Sequence, residues 1–307
     1  MNKGNKKVVL AYSGGLDTTY CAIYLNKVKG LEVHALTVNT GGFSKEEISA
    51  IGERAKKLGV ASFKSVDVTE DYYQSCIRYL IFGNVLKNAT YPLSVSAERM
   101  VQAIAVAKYV QETGAGYVAH GSTGAGNDQV RFDMVFQSIV PEAEILTPIR
   151  DLRLSREQEI SFLKEHGVTM NFEKAQYSIN KGLWGTSVGG KETLTSNEYL
   201  PENAWPTPVS SDKPEKISLQ FEKGELLSVN DKKFDHPVKA IQFLQALAQP
   251  FGIGRDIHVG DTIIGIKGRV GFEAAAPLII IKAHHLLEKH TLTKWQLYWK
   301  DQLSAWY

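Results

Sequence analysis

Apolar and polar positions in the first half of the chain switch repeatedly between two periods. Residues 7–12 (KVVLAY) form a short apolar run that stops at Ser13-Gly14-Gly15. A run of that length closed by glycine predicts a strand buried on both faces, as in a parallel sheet. Residues 18–29 follow with Tyr20, Ile23, Tyr24 and Val28 on one helical stripe, and Gly30 is placed to end that helix. The alternation continues with a strand at 32–39 (EVHALTVN), a helix at 45–58 ended by Gly59, and a strand at 62–68. A helix at 97–112 carries the stripe Met100, Ala103, Ile104, Ala107 and Val110, and strands at 116–120 and 144–148 complete the set. Strand–helix alternation over about five strands predicts an α/β fold: a Rossmann-like parallel sheet with helices on both faces.

The pattern changes after about residue 170. Residues 186–216 are rich in Gly, Thr, Ser, Asn and Pro, and read as a long connecting excursion. Beyond them, ISLQFEKGELLSV predicts a hairpin and residues 237–250 a helix with Pro237 at its start. Residues 262–266 (TIIGI) and 278–282 (LIIIK) read as strands. Two domains are therefore expected: a nucleotide-binding domain at 1–170 and a second, α+β domain at 171–307.

Composition narrows the field. The 307 residues are 43% hydrophobic and 22% charged, the balance of a globular chain with room for one large or two ordinary cores. A net charge of +2 without a long Lys or Arg run gives no electrostatic reason to expect a nucleic-acid partner. Cys21 and Cys76 lie far apart in no metal-type spacing, which fits a reducing compartment and argues against a disulfide framework or a zinc site. The apolar run near the N-terminus is too short for a signal peptide, and no stretch approaches the ~20 residues of a membrane helix. A cytoplasmic location without membrane partners is the expectation.

The densest chemistry is Ser13-Gly14-Gly15-Leu16-Asp17-Thr18-Thr19, at a strand end and the opening of a helix. Gly14 and Gly15 let main-chain N–H groups approach phosphate oxygens, and the helix N-terminus adds the positive end of its dipole. Ser13 and Thr18 supply hydroxyl donors, and Asp17 is placed to hold Mg²⁺, to cap the helix, or both. The plainer alternative is an ordinary strand–turn–helix with Asp17 as its cap. A second dense stretch, AHGSTGAGNDQVRF at 119–132, sets Gly121, Gly124 and Gly126 among Thr123, Asn127, Asp128 and Arg131. Polar density at the carboxyl end of a parallel strand is where open α/β sheets bind ligands, and an Arg fork suits a carboxylate. His120 reads as a packing or hydrogen-bonding residue rather than an acid–base catalyst. His284, His285 and His290 lack a carboxylate at ligand spacing and read as solvated or packed.

SGGLDTT is similar to the SGGxDS signature of the N-type ATP pyrophosphatases. Within that group the chain resembles the argininosuccinate synthase family, whose loop reads SGGLDTS. The block at 119–132, RDLRLSREQEI at 150–160 and YSINKGLWGTS at 177–187 extend the resemblance over essentially the whole chain. It implies an ATP-dependent, AMP-forming C–N ligase of arginine biosynthesis. Citrulline would be activated as citrullyl-AMP with release of pyrophosphate, and aspartate would then displace AMP to give argininosuccinate. The resemblance implies ATP and Mg²⁺, with the nucleotide held by Ala11, Tyr12, Ser13, Gly14, Gly15, Leu16, Asp17, Thr18, Thr19, Val38 and Gly121, and the metal by Asp17. It implies aspartate contacts at Thr123, Asn127 and Asp128, and citrulline contacts at Tyr91, Ser96, Asn127, Arg131, Ser178 and Ser187. Asp128 is expected to orient or deprotonate the aspartate amine.

The chain also departs from the family. YPLSVSAERM at 91–100 keeps Tyr91, Ser96 and Arg99 but carries Ser94 and Val95 where Gly and Thr are usual. Ala125 stands where the family often has Lys. Gly260 and Phe272 occupy the positions of a citrulline-binding Glu and Tyr, the Glu being expected to pair with the α-ammonium group. Either Asp261 takes over that role, or the substrate has no α-ammonium, as in N-acetyl- or N-succinylcitrulline. The family continues beyond the position of Tyr307 in a tail that helps build a tetramer. The chain thus reads as a divergent, C-terminally short member, with a homo-oligomer expected and a tetramer where the tail is present. Two rival readings are a tRNA thiolase or amidotransferase-like ligase on the same ATP fold, and a nucleotide-binding module without activity.

Overall fold

The computed structural model describes residues 5–124, 126–170 and 177–307. They fall into two compact units, taken in turn below, with elements numbered along the whole chain. The first unit comprises residues 1–68, 98–176 and 261–266, and the second 69–97, 177–260 and 267–307. The expected boundary at 170/171 abuts residues 171–176, outside the described residues.

The first unit is built on β1 (Lys7–Ala11), β2 (Glu32–Asn39), β3 (Ser62–Asp67), β4 (Tyr117–Ala119) and β5 (Glu144–Leu146). All pairings are parallel, in the order β3-β2-β1-β4-β5, so the α/β expectation holds. Successive residues of β1 serve opposite cores, as strand geometry requires. Val8 and Leu10 pack with Leu16, Tyr20, Ile23 and Leu163, while Val9 packs with Ala103, Val106, Ala107 and Phe136. The helices behind these contacts are α1 (Leu16–Ile23), α2 (Lys45–Lys57), α5 (Ser96–Thr113), α6 (Asp128–Ile139), α7 (Pro148–Leu152) and α8 (Arg156–Glu165). Cys21, on α1, is wholly buried.

The stripe expected on the first helix is displaced at its end. A π turn at Tyr24–Val28 follows α1, with the Lys29 N–H donating to the Tyr24 carbonyl (3.0 Å). A π turn advances less per residue than an α-helix. Leu25 therefore faces the core at 1% exposure, and Val28, expected inside, is 55% exposed.

The second unit contains α3 (Thr69–Tyr72) and α4 (Arg78–Phe82), joined by a π turn at Tyr73–Ile77. Its β6 (Ser178–Gly182) and β7 (Gly185–Gly189) form a hairpin at the start of the stretch expected to be irregular. β8 (Leu219–Glu222) and β9 (Glu225–Val229) form the expected second hairpin, extended by β10 (Lys232–Lys233). α9 (Pro237–Ala248) begins with Pro237 after an N-cap in which His236 accepts the Val238 N–H. β11 (Arg255–Asp261) and β12 (Lys267–Glu273) join the first hairpin in the order β11-β12-β7-β6. α10 (Ala275–Thr291) and α11 (Lys294–Trp306) close the chain.

Two strand expectations are overturned. Residues 262–266 are a turn: the Thr262 N–H donates to the Ile266 carbonyl (2.8 Å), Gly265 sits at φ +83°, and Ile263, Ile264 and Ile266 are about half exposed. The strands are the more polar flanks. Residues 278–282 lie within α10, where Ile280, Ile281, His284 and Glu288 are buried at helical spacing. An apolar run of that length does not distinguish strand from buried helix. The expected lack of a carboxylate near the His284 cluster is also corrected, since Glu288 lies 3.6 Å from His284. His284 nonetheless packs: it is buried, shares a hydrogen bond with Asn84 (2.9 Å) and stacks on Phe82. Among the described residues no helix is long and apolar enough to cross a membrane.

Candidate functional site

β1 lies at the centre of its sheet with β2 and β4 on its two sides, so the chain leaves the sheet in opposite directions at its carboxyl end. Such a switch point opens a crevice between strand-end loops. The loop after Ala11 is pinned to β2: the Tyr12 N–H donates to the Leu36 carbonyl (2.9 Å), and Thr37 Oγ1 donates to the Tyr12 carbonyl (2.7 Å). Gly14 then turns at φ +74°, a conformation that costs a residue with Cβ about 1–2 kcal/mol. Gly15 is the N-cap of α1, extended, with no side-chain cap hydrogen bond. The amides of the first turn thus receive no side-chain cap at this position. Ser13 Oγ and Thr18 Oγ1 lie 3.2 Å apart and the Thr19 N–H donates to the Gly15 carbonyl (3.0 Å), which closes the loop on itself. Leu16 and Thr19 are buried beneath it, and Ser13 and Gly15 are exposed.

Asp17 stands in the first turn of α1, and Gly15 holds the cap position, so the capping alternative falls away. Its neighbour is Glu159 of α8, whose carboxyl is pushed up to about 8 by burial, by the Asp17 charge and by a hydrogen bond to Asp17. Gly121, two residues beyond the β4 end, abuts this turn. A Cβ on Gly121 would lie 3.3 Å from the Asp17 carbonyl carbon, from Asp17 Cβ and from Thr18 Cγ2, so only glycine fits without displacement. Val38, near the end of β2, is 8% exposed.

Asn127 and Asp128 open α6. Asn127 Oδ1 accepts the Ile263 N–H (2.6 Å). Both oxygens of Asp128 accept guanidinium hydrogen bonds, Oδ2 from Arg99 Nε (3.0 Å) and Oδ1 from Arg131 Nη1 (3.1 Å). That arrangement suits orienting an amine better than removing its proton. Arg99 also donates to Glu98 Oε1 (3.1 Å), and Glu98 Oε2 accepts from Thr40 (3.1 Å). The fully buried Glu98 carboxyl is pushed up to about 7 by burial, against the pull of Arg99 and Thr40. Thr123 is exposed in the same loop, and Ala125 lies outside the described residues.

The remaining candidates lie in the second unit. Ser178 and Ser187 face the same side of the β6–β7 hairpin, where Asn180 pairs with Ser187 and donates to its hydroxyl (3.4 Å). Phe272 of β12 lies directly across from Ser187. Tyr91 packs on Phe272 (ring centroids 5.1 Å) and stacks on His258 (4.9 Å), and its hydroxyl accepts the Val95 N–H (3.2 Å). The segment is anchored by Trp184, whose Nε1–H donates to the Pro92 carbonyl (2.9 Å). Ser96 is the first residue of α5.

Several residues at these places were not singled out from sequence. Arg54, on α2, reaches the glycine turn, with Nη2 2.9 Å from where a Gly14 Cβ would stand. Its signal was its place one turn beyond Ile51, which contacts the same glycine. His258 and Asn180 had no local signal, because their partners, Tyr91 for the one and Ser187 for the other, are reached only through tertiary contact and strand pairing.

A family model described as the arginosuccinate synthase N-terminal HUP domain matches residues 7–169, and one described as the arginosuccinate synthase C-terminal domain matches residues 177–307. A protein of Methanocaldococcus jannaschii named argininosuccinate synthase is 37% identical over 302 residues, covering 97% of this chain and 76% of its own. The proteins of that name from Pyrococcus furiosus and Dehalococcoides mccartyi are 37% and 36% identical, covering 97% and 99% of this chain and 73% and 75% of their own. With both family models matched in sequence order and this chain aligned over nearly its whole length to about three quarters of each relative, the chain belongs to the argininosuccinate synthase family.

Proposed function

We infer that the chain catalyses ATP-dependent condensation of citrulline with aspartate, giving argininosuccinate, AMP and pyrophosphate. The observation that carries this reading is the uncapped glycine turn after β1, closed over by Gly121 at the sheet's switch point. The ureido carbon is a poor electrophile because two nitrogens donate into it. Adenylation solves this: the ureido oxygen attacks the α-phosphorus, pyrophosphate leaves, and the aspartate amine then displaces AMP. No covalent bond to the protein forms, so catalysis rests on positioning and charge stabilisation.

In this reading residues 11–19, Val38 and Gly121 hold ATP, and the amides of the Gly14–Thr18 turn take the pyrophosphate end, with Arg54 adding charge. Thr123, Asn127 and Asp128 hold aspartate, Asp128 orienting the amine. Tyr91, Ser96, Asn127, Arg131, Ser178 and Ser187 hold citrulline. A magnesium ion is bound by one or two carboxylates together with substrate phosphates. Asp17 beside the glycine turn fits that donor set, and the ion would neutralise charge on the leaving pyrophosphate. Residues 1–170 serve as the nucleotide domain and 171–307 as the substrate and assembly domain of a cytoplasmic homo-oligomer.

A second reading of the substrate is favoured by the Tyr91 face. A Cβ on Gly260 would lie 2.6 Å from His258 Nε2, so the imidazole fills the space a longer side chain would need. Burial, and then the charge of Lys87, lower the His258 pKa, which favours the neutral ring. An uncharged imidazole and a phenyl ring there suit a citrulline whose α-nitrogen is acylated, unless Asp261 supplies the missing charge.

One assay tests both readings: pyrophosphate release with ATP, aspartate and citrulline, N-acetylcitrulline or N-succinylcitrulline in turn. Sustained release is expected only with all three components, with at most about one equivalent per site when aspartate is omitted, and Asp17→Ala should abolish it with the fold retained. Sustained turnover without aspartate, or no release with any citrulline, sinks the synthase reading in favour of another ligase or a binding module. A higher kcat/KM for free citrulline ends the acylated alternative.

A further inference from the structure

Thr123 and Gly124 line one cleft with Ile149, Arg150, Asp151, Arg153 and Leu154. Arg150, on α7, is a branch point there. Its Nη1 donates to Asp133 Oδ2 (2.6 Å) and to Gln129 Oε1 (3.2 Å), both on α6. From Asp133 one relay runs to the β4 end. Asp133 Oδ1 lies 2.9 Å from His120 Nε2, and His120 Nδ1 accepts the Ser122 N–H (3.2 Å). Because Nδ1 is an acceptor, the ring proton sits on Nε2 and is donated to Asp133. From Gln129 the other relay runs to the far side of the same loop, where Nε2 donates to the carbonyls of Gly124 (2.5 Å) and Gly126 (3.3 Å).

One guanidinium is thus linked, through two relays, to Ser122 on one side of a glycine-rich loop and to Gly124 and Gly126 on the other. The far members of the two relays are buried, His120 at 1% exposure and Gln129 at 8%, while Asp133 and Arg150 are part-exposed. Burial raises the Asp133 carboxyl, but hydrogen bonds from His120 and Arg150 outweigh it and hold it below the usual carboxylate range.

We propose that Arg150 is a positioning residue for the reaction, holding the loop that begins at Gly121 in the shape that receives both ATP and aspartate. The proposal rests on the synthase reading, in which Gly121 meets the nucleotide and Thr123, Asn127 and Asp128 meet the amino acid. Both bonds leave one nitrogen, Nη1, whose two N–H directions are fixed by the planar guanidinium, whereas a freely rotating lysine ammonium on a flexible stem holds the two partners less well.

The test is steady-state pyrophosphate release by wild type, Arg150→Gln, Arg150→Lys, Asp133→Asn and the Asp133→Asn/Arg150→Gln double variant. Arg150→Gln should raise KM for ATP and for aspartate about tenfold with kcat within about threefold, and Arg150→Lys should recover part of the loss. The double variant should be no worse than Arg150→Gln, since Asp133 acts in the same unit. Unchanged KM values, or a fall in kcat accompanied only by a lower melting temperature, overturn the proposal. If Arg150→Gln does not fold, Asp133→Asn carries the same expectation at smaller size. If wild type itself releases no pyrophosphate, the synthase reading fails instead. Calorimetric ATP binding then decides the positioning role, with about tenfold weaker binding by Arg150→Gln expected and equal binding refuting it.

Discussion

The two units assemble their candidate residues by opposite routes. In the first, the key groups are main-chain amides and carbonyls within a few residues of a strand end: Ser13–Gly15 after β1, Gly121 after β4. In the second they are side chains from distant stretches: Tyr91 from a loop, Ser178 and Ser187 from one hairpin, His258 and Phe272 from another. A phosphate is recognised by backbone geometry, which a short motif specifies by itself. An amino-acid substrate is recognised by particular side chains, and in the second unit only strand register brings them to one face. Substitution should therefore disturb the first region mainly in binding, and the second mainly through the packing that creates its face.

Three substitutions probe that contrast, beginning with the largest effect. Gly254 sits at φ +78°, and a Cβ there would lie 2.5 Å from the carbonyl carbon and 2.6 Å from the oxygen of Ala274. Because backbone cannot yield, Gly254→Ala should lose at least about 3 kcal/mol in denaturant unfolding. Gly14 also has positive φ, but the atoms its Cβ would meet are the ends of Arg54 (2.9 Å) and Ile51 (3.3 Å). Gly14→Ala should cost the fold only ~1 kcal/mol while weakening ATP binding about tenfold. The reverse outcome, a large stability loss with normal nucleotide affinity, would erase the distinction between the regions.

The smallest effect concerns a side chain buried in the first unit. The folded state holds the Glu98 proton more tightly than the unfolded chain does, because burial pushes that carboxyl up to about 7 from an ordinary 4.5. Its stabilising contribution is thus present in acid and lost as pH rises through about 7. Glu98→Gln should flatten that dependence, so the melting temperature of wild type should fall about 2 °C more than the variant's between pH 5 and 8. Parallel profiles would remove Glu98 from the account.

How much of this was legible follows from the same contrast. β1 to β5 and the glycine turn were readable because buried parallel strands are short apolar runs punctuated by glycine. Val28 was misplaced because a π turn leaves no mark in hydrophobic spacing. Ile263 and Ile280 were read as strand residues on composition, yet one lies in an exposed turn and the other in a buried helix. Gln129 and Asp133 stand four apart on α6 and so share a face, which a helix recognised over 128–139 would have made readable. Arg150 had no local signal, since its partners are 17 and 21 residues away.

Cys21 lends the nucleotide unit a built-in reporter. Burial, then the charges of Asp17 and Glu159, raise its thiol well above the usual range, so little of the reactive thiolate exists while α1 is seated. Alkylation at this position therefore clocks how often the helix lifts from its sheet. ATP grasped at the start of that helix should slow the clock, giving a turnover-free readout of occupancy.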